Sequence, residues 1–320
     1  FHKHTFLFSA GTANTKNTER TKMSRVAKDD TAKWEEISRM CFKDQAIWAL
    51  NGFWDVLEKD AEQVWTWVQK MGELEQDKHA DGCDLDEFWS HKFLETLGET
   101  MTVIEMRERF RKIDADFNKR MSMLEYIMYR YNIEPHAMVT APQGGDQEQI
   151  NKAQAMVDSA QSAVDAMNTA LDAAKKAVAA AVAAENENKA ALDELHAQEK
   201  AFEDKKAALE KTKNDMSIGV VKRNKAANEL DQMMAEDPLP LRKAKINQAA
   251  TVKKSERATK AAEAAKEKAE EAVKNAEAKL QEALEFLQRA KASGGVAKGA
   301  IWWMEREITE KKKYLPARRR

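Results

Sequence analysis

The stretch "DADFNKRMSMLE", residues 114–125, has acidic or amide side chains at alternating positions and ends with a glutamate. This is the spacing of a twelve-residue calcium loop, which supplies oxygen ligands from its positions 1, 3, 5, 7, 9 and 12. Apolar residues flank the stretch at helical spacing, so the loop is predicted to join two helices. The predicted ligands are Asp114, Asp116, Asn118, Arg120 through its backbone carbonyl, Ser122, and Glu125 through both carboxylate oxygens.

The sixth position of this loop holds Lys119, where calcium loops of this kind have a glycine. Glycine permits a positive φ angle, which costs a residue with a side chain on the order of 1 kcal/mol. The lysine ammonium also adds positive charge beside the cation. We therefore expect calcium binding that is weakened rather than abolished. The alternative is a helix–loop–helix corner that takes no metal.

Calcium loops of this kind usually occur in pairs, and "DKHADGCDLDEFW", residues 77–89, is the candidate partner. If Gly82 is its turning residue, side chains that can bind metal fall at positions 1, 3 and 5. Position 12 is then Phe88, which has no ligand atom. This loop is therefore predicted to be a degenerate hand that supports the other one.

Composition and motifs argue against several classes of function. The 320 residues are 33% charged with a formal net charge of -1, so no overall charge attracts the chain to nucleic acid or a membrane. No apolar stretch approaches the roughly 18 residues of a membrane span. The two cysteines, Cys41 and Cys83, are expected to be free thiols in a reducing compartment. No nucleophile–base constellation, P-loop or dinucleotide-binding glycine motif occurs, so we do not expect an enzyme.

The composition of the chain changes near residue 140, from tryptophan-rich helical sequence to sequence dominated by Ala, Lys and Glu. Few glycines and prolines occur, which favours an all-α fold: an EF-hand-like helical domain followed by an antiparallel, coiled-coil-like bundle of long helices. The predicted parts are a disordered N-terminal segment (1–32), an EF-hand-like calcium-binding domain (33–139), a linker (140–146), an alanine-rich helical bundle with a C-terminal WWM helix (147–315), and a basic tail (316–320).

The first long helix is predicted over 147–213 from apolar residues that recur at steps of three and four. The predicted seam includes Val178, Glu185, Leu192 and Glu199. A second long helix is predicted from about 241 to 292, after a turn at Pro238 and Pro240, with a seam from Ala258 to Leu287. The two helices can pair within one chain or between chains.

The sequence before Met23 is rich in Thr and Lys and is expected to be disordered. It is interpreted either as a targeting peptide or as translated upstream sequence, and we favour the second interpretation.

Four stretches resemble a known family, the small calcium-regulated actin-bundling proteins of amoebae and other protists. They match in order and approximate spacing, and the last is the most specific because a WWM flanked in this way is rare. The stretches are "QAIWALNGFWDVLEKDAEQVW" (45–65), "GCDLDEFWSHKFLE" (82–95), "DADFNKRMSMLEYIMYRY" (114–131) and "GAIWWMEREITEKKKY" (299–314).

The resemblance implies a cytoplasmic, cytoskeletal protein that binds Ca²⁺ and cross-links actin filaments (F-actin), with bundling reduced by calcium. It would act as a monomer with two filament sites or as a dimer. The basic residues Lys311, Lys312 and Lys313 are candidate actin contacts, since actin filaments are acidic; a solvated charged tail is the alternative. Two other hypotheses stay open: a calcium-sensing coiled-coil scaffold of a microtubule or axonemal assembly, and, ranked last, a membrane-associated helical scaffold.

The tryptophan pair Trp302 and Trp303 has two possible locations. The pair either docks onto the EF-hand-like domain or packs within the helical bundle. Docking would allow calcium binding to change how this C-terminal segment packs.

Overall fold

The computed structural model describes residues 25–98, 102–235, 238–293 and 297–316. The chain divides into two compact units. The first extends to Lys152 and also includes Leu287–Arg306; the second comprises Ala153–Phe286 and the residues from Glu307 onward. Within the described residues, none of the helices combines the length and the apolarity needed to cross a bilayer.

The first unit is built from short helices around two loops that meet in a small sheet. The two strands, β1 (Asp84–Asp86) and β2 (Arg120–Ser122), pair antiparallel. Short 3-10 turns cover Lys28–Asp30, Glu58–Asp60 and His79–Asp81. The helices are α1 (Thr31–Ser38), α2 (Phe42–Gly52), α3 (Trp54–Leu57), α4 (Ala61–Leu74), α5 (Glu87–Thr96), α6 (Val103–Ile113), α7 (Met123–Tyr131) and α8 (Pro135–Val139).

Local sequence explains where several of these helices begin and end. Thr102 and Glu105 form a reciprocal capping box at the start of α6, and Ser122 and Glu125 form another at the start of α7. Asn132 ends α7 in a left-handed conformation with φ 53°, which asparagine tolerates well. These residues define the N-terminal ends of α6 and α7 and the C-terminal end of α7.

The core of the first unit is aromatic and aliphatic, as its tryptophan-rich sequence predicts. Burial of large apolar side chains is the dominant favourable contribution to folding. The largest fully buried side chains include one from the C-terminal segment, Trp303. Others are Trp34, Ile37, Phe42, Leu50, Leu57, Met71, Phe93 and Tyr126.

Long helices make up the second unit, and three of them extend into the first. They are α9 (Gln147–Asn214), α10 (Val220–Ala235), α11 (Leu239–Ser293) and α12 (Lys298–Lys312). Thr251 Oγ1 donates to Asn188 Oδ1 at 3.3 Å, and Lys254 pairs with Glu187. Further along, Leu171 and Ala174 line the same groove as Ala269 and Val273. Along these contacts the residue numbers of α11 increase while those of α9 decrease, so the two helices pair antiparallel within one chain.

The inward face of α9 matches the predicted seam at every position up to Ala174 and, beyond it, at Ala181, Asn188, Leu195, Phe202, Lys206 and Leu209, which are half-buried. Also beyond Ala174, Ala184 and Ala191 are buried, whereas Val178 is 49% exposed and Leu192 is 37% exposed. At the alternate positions the inward residue therefore lies one before the predicted one, and Glu185 and Glu199 are exposed rather than in the seam. One extra three-residue step accounts for the shift, and it keeps both glutamates in water. The predicted seam of α11 is buried or half-buried throughout.

The boundaries of the structure differ from the predicted ones in three places. Helical structure begins at Lys28, inside the segment predicted to be disordered, and the buried carboxylate of Asp30 in this turn lies 2.9 Å from His136 Nδ1. Residues 1–24, like 317–320 of the predicted tail, lie outside the described residues. Pro240 sits in the first turn of α11, where no backbone N–H is required. The WWM sequence belongs partly with the first unit rather than with the long helices.

Candidate metal centre

The predicted calcium loop lies between α6 and α7. Asp114 caps the C-terminal end of α6, and Ser122 caps the N-terminal end of α7. The carboxylates of Asp114, Asp116 and Glu125 come together, each offering an oxygen within 4.8 Å of the others. Three carboxylates this close repel one another unless protons or a cation neutralise them. The loop therefore has the donor set of a site for a hard divalent cation.

Glu125 is the most deeply buried of the three, with 1% of its surface exposed. Its Oε1 accepts from the Ala115 N–H at 2.9 Å, and its Oε2 accepts from the Ser122 N–H at 2.9 Å and the Ser122 hydroxyl at 3.0 Å. Burial raises the pKa of Glu125 from 4.5 to about 8, with a further contribution from the nearby Asp116. Glu125 is therefore mostly protonated at neutral pH when no cation is bound.

Asp114 shows the clearest sign that the loop fits a metal ion. Its Oδ2 accepts from the Lys119 N–H at 3.1 Å, but its buried Oδ1 has no hydrogen-bond partner among the described residues. A buried oxygen without a partner is costly. Burial, together with the charge of Asp116, raises the pKa of Asp114. A divalent cation would satisfy this oxygen and favour the ionised carboxylate.

Asp116 and Asn118 shape the exposed side of the loop. Asp116 Oδ1 accepts from the Asn118 N–H at 3.0 Å, and Asn118 Oδ1 accepts from the Arg120 N–H at 2.6 Å. A cleft of about 410 Å³ opens beside Asp116, Asn118 and Ser122. The cleft gives a cation a route to the carboxylates from solvent.

Trp34 is a functional neighbour that the sequence analysis missed. Its indole Nε1–H donates to Asp116 Oδ2 at 3.0 Å, and the ring is fully buried on α1. The bond fixes the orientation of a predicted ligand, as outer-shell partners do in metal sites. Because 82 positions separate the two residues, no local pattern could have revealed the contact.

Lys119 adopts the left-handed conformation expected at the sixth position, with φ 61°. Phe117, two residues earlier, also has a positive φ of 63°, which the sequence analysis did not anticipate. Both angles are unfavourable for residues with side chains. The loop therefore keeps the predicted backbone shape at a cost in strain.

The predicted degenerate loop, residues 77–89, is joined to the 114–125 loop through the β1–β2 pair, in which Leu85 faces Met121. Arg120 also forms an ion pair with Asp84 across the strands. Counting outward from the Leu85–Met121 pair, the counterpart of Glu125 is Trp89. The predicted alignment, which placed Phe88 there, was therefore off by one residue.

Gln45 connects both loops to α2 and is fully buried. Its Nε2 lies 2.7 Å from the Cys83 carbonyl, and its Oε1 accepts from the Leu124 N–H at 3.2 Å. The same Nε2 contacts the carbonyls of Ser38 and Met40 at 2.9 and 2.7 Å. A single side chain thus satisfies backbone groups from both loops. No local sequence pattern indicates this role, which depends on tertiary contacts.

The C-terminal segment docks onto α2 and α4 through the tryptophan pair. Trp303 packs on Trp65 with ring centroids 4.7 Å apart, and Arg306 pairs with Glu62 at 2.8 Å. A side chain at Gly299 would meet the backbone of α2 at 2.6 Å, so only glycine allows this approach. Of the two locations considered for the tryptophans, the structure places them on the first unit.

The candidate actin contacts at the end of α12 belong to the second unit, whereas the residues of the metal centre belong to the first. Lys313 pairs with Glu310 at 2.8 Å, and Lys311 lies 5.8 Å from the ring of Tyr314. Lys312 is exposed and lines a surface cavity. The three ammonium groups are thus close in sequence and accessible to different degrees.

This chain is similar to known proteins in sequence and in structure. A family model described as F actin bundling C terminal matches residues 146–285. The calcium-regulated actin-bundling protein of Dictyostelium discoideum is 26% identical over 310 residues, covering 87% of this chain and 85% of that protein. The predicted resemblance is confirmed. The crystal structure of the 34 kDa F-actin bundling protein from Dictyostelium discoideum aligns with 92% of this chain and 100% of that one, at 21% identity and a TM-score of 0.48.

Proposed function

We propose that this chain is a calcium-binding, non-enzymatic protein that cross-links actin filaments in the cytoplasmic cytoskeleton. The observation that carries the proposal is the sequence match to a calcium-regulated actin-bundling protein, which extends over 87% of the chain and therefore includes residues of both units. The match to the F actin bundling C terminal model covers most of the long helices and supports the same function.

The cation in this proposal is Ca²⁺, held by the loop between α6 and α7. The carboxylates of Asp114, Asp116 and Glu125 provide the negative charge that a hard divalent cation requires. The side-chain oxygens of Asn118 and Ser122 and the backbone carbonyl of Arg120 complete the predicted set. When bound, the ion supplies positive charge that removes the repulsion among the carboxylates. The partnerless Oδ1 of Asp114 supports this assignment.

Calcium is proposed to reduce bundling by changing how the C-terminal segment docks. Tyr126 follows Glu125 directly and packs edge-on against Trp67, with centroids 4.9 Å apart. Trp67 lies on α4 two residues after Trp65, which holds Trp303. A shift of α7 on metal binding would therefore reach the helix that anchors the C-terminal segment.

Filament contacts are proposed at Lys311, Lys312 and Lys313, where positive charge complements an acidic filament. A protein that bundles as a monomer needs two separate filament sites, whereas a protein with one site must dimerise. Reversing the charges of these three lysines should weaken pelleting with filaments. Charge reversal at Lys205, which is exposed on α9, and at Lys206, which is half-exposed, serves as a control.

Filament cosedimentation tests the function directly. Single filaments with bound protein pellet at high speed, whereas bundles also pellet at low speed. We expect the full chain to pellet with actin at both speeds in a chelator, and less at low speed with calcium. Failure to pellet with actin under either condition would refute the proposal, and pelleting with microtubules instead would favour a different cytoskeletal scaffold.

A matched pair of variants tests whether calcium acts through the loop. Glu125→Gln removes a predicted ligand, whereas Glu105→Gln changes the same capping-box position on α6, where the side chain is exposed. The first variant should lose both the calorimetric heat of calcium binding and the calcium effect on pelleting. The second should keep both. Equal responses from the two variants would contradict the assignment of Glu125.

A further inference from the structure

The loop after α4 is folded around one of the chain's own carboxylates. Glu75 follows the last residue of α4, and its Oε2 accepts from the His79 N–H at 2.5 Å and also from the Lys78 N–H. Successive N–H groups that converge in this way form an anion-binding concavity. Here the acceptor is the carboxylate of Glu75, a side chain of the protein itself, rather than a bound anion.

Gly82 shows how closely the loop encloses this side chain. A Cβ at this position would lie 2.5 Å from Glu75 Cγ and 3.1 Å from Glu75 Cδ. His79 adopts a positive φ of 52°, which turns the chain around the carboxylate. The glycine that the sequence analysis took for a metal-loop turn therefore makes room for Glu75.

The same loop lacks the ligands for a cation of its own. Counted from the Leu85–Met121 pair, its first and last positions are Lys78 and Trp89, neither of which is a carboxylate. Among the described residues, the only carboxylate cluster with metal-binding spacing is the one containing Glu125. Burial acts to raise the pKa of Glu75, but N–H groups of the loop lower it overall, so the side chain is anionic at neutral pH.

We propose that Glu75 is a positioning residue for the calcium site. Its carboxylate organises the loop between α4 and α5, called the first loop, in place of a metal ion. In this way it holds β1 in position to pair with β2. Through this pair the loop holds Arg120 and Ser122, two of the predicted ligands, against Asp86 and Asp84. The proposal rests on the proposed calcium function for its effect on affinity. The organisation of the first loop by Glu75 does not depend on calcium binding.

Two measurements on the full chain test the two parts separately. Amide hydrogen exchange in a chelator reports whether Lys78 and His79 are protected by Glu75. Calcium calorimetry reports affinity and stoichiometry. The variants are Glu75→Ala, which removes the acceptor, and Glu75→Gln, which keeps one uncharged acceptor oxygen. Glu73→Gln, at an exposed position on α4, is the control.

We expect Glu75→Ala to speed exchange at both amides and to weaken calcium binding about tenfold, the low end of effects seen for groups that orient metal ligands. Glu75→Gln should give smaller changes in the same directions, and it keeps the test decisive if the alanine variant does not fold. The control should match the wild type, with one ion bound per chain.

Three results would overturn the proposal. Unchanged exchange in both Glu75 variants would show that the carboxylate does not organise the loop. Unchanged affinity with faster exchange would show that the loop around Glu75 does not position the calcium site. Two ions bound per chain would show that the first loop takes a metal. If the wild type binds no calcium, the proposed calcium function fails, while the exchange result still decides the role of Glu75.

Discussion

Calcium binding at neutral pH should release close to one proton, because Glu125 holds a proton in the metal-free protein. Burial raises the pKa of this carboxyl to about 8. At about pH 7 the group is therefore ~90% protonated, and a calcium ligand must be ionised, so roughly 0.9 proton leaves when the ion binds.

The same pKa sets how calcium affinity depends on pH. Between about pH 6.5 and pH 8.5 the ionised fraction of Glu125 rises from ~3% to ~75%, so the apparent affinity should increase roughly 25-fold. The free energy of unfolding of the metal-free chain should instead decrease as the pH rises. The folded pKa lies above the unfolded value of 4.5, so the stabilisation from this group is lost as pH rises through about 8.

Calorimetry in two buffers with different ionisation enthalpies measures the released protons directly. The observed heat should depend on the buffer with a slope close to one proton per ion. Glu105→Gln is the matched control, since Glu105 occupies the same capping-box position at an exposed site and N–H and hydroxyl donation from Thr102 lowers its pKa. A slope near zero together with pH-independent affinity would refute the reasoning, because Glu125 would then be ionised before calcium binds.

Three substitutions test the supports around the site. Lys119→Gly should tighten calcium binding by up to about tenfold in calorimetry, because it relieves the strain of a positive φ; unchanged affinity would contradict this account. Gln45→Leu should lower the free energy of unfolding, measured with denaturant, by about 3 kcal/mol, because it leaves backbone groups of both loops without partners. A loss below ~0.5 kcal/mol would show that water replaces them. Gly299→Ala should loosen the C-terminal segment and red-shift the emission of Trp303, because the added Cβ meets the α2 backbone at 2.6 Å. An unchanged spectrum would mean that the helix adjusts without undocking.

Local patterns predicted the shape of loop 114–125 and its cluster of carboxylates, since both depend on residues close in sequence. The alternating oxygen side chains and the capping box around Glu125 are visible in a dozen residues, and the all-α fold follows from helical periodicity. Trp34, Gln45 and Glu75 were missed because their roles depend on contacts that no short motif encodes. Alternate seam positions of α9 after Ala174 were predicted one residue too late because an ideal heptad does not allow for a three-residue step.

The proposed calcium ligation by Glu125 would compete for the oxygens with which this residue caps α7. In the metal-free loop the oxygens of its carboxyl group accept from the Ala115 N–H and from the N–H and hydroxyl of Ser122, and in doing so cap α7. Direct coordination of calcium by both oxygens would weaken or replace these bonds, so a bound metal would change the N-terminal end of α7 itself. Tyr126, the next residue, packs against both Trp67 and Phe93, with centroids 4.9 Å apart in each case. A change at the cap therefore reaches the aromatic core within one residue, and this core includes the tryptophan that anchors the C-terminal segment.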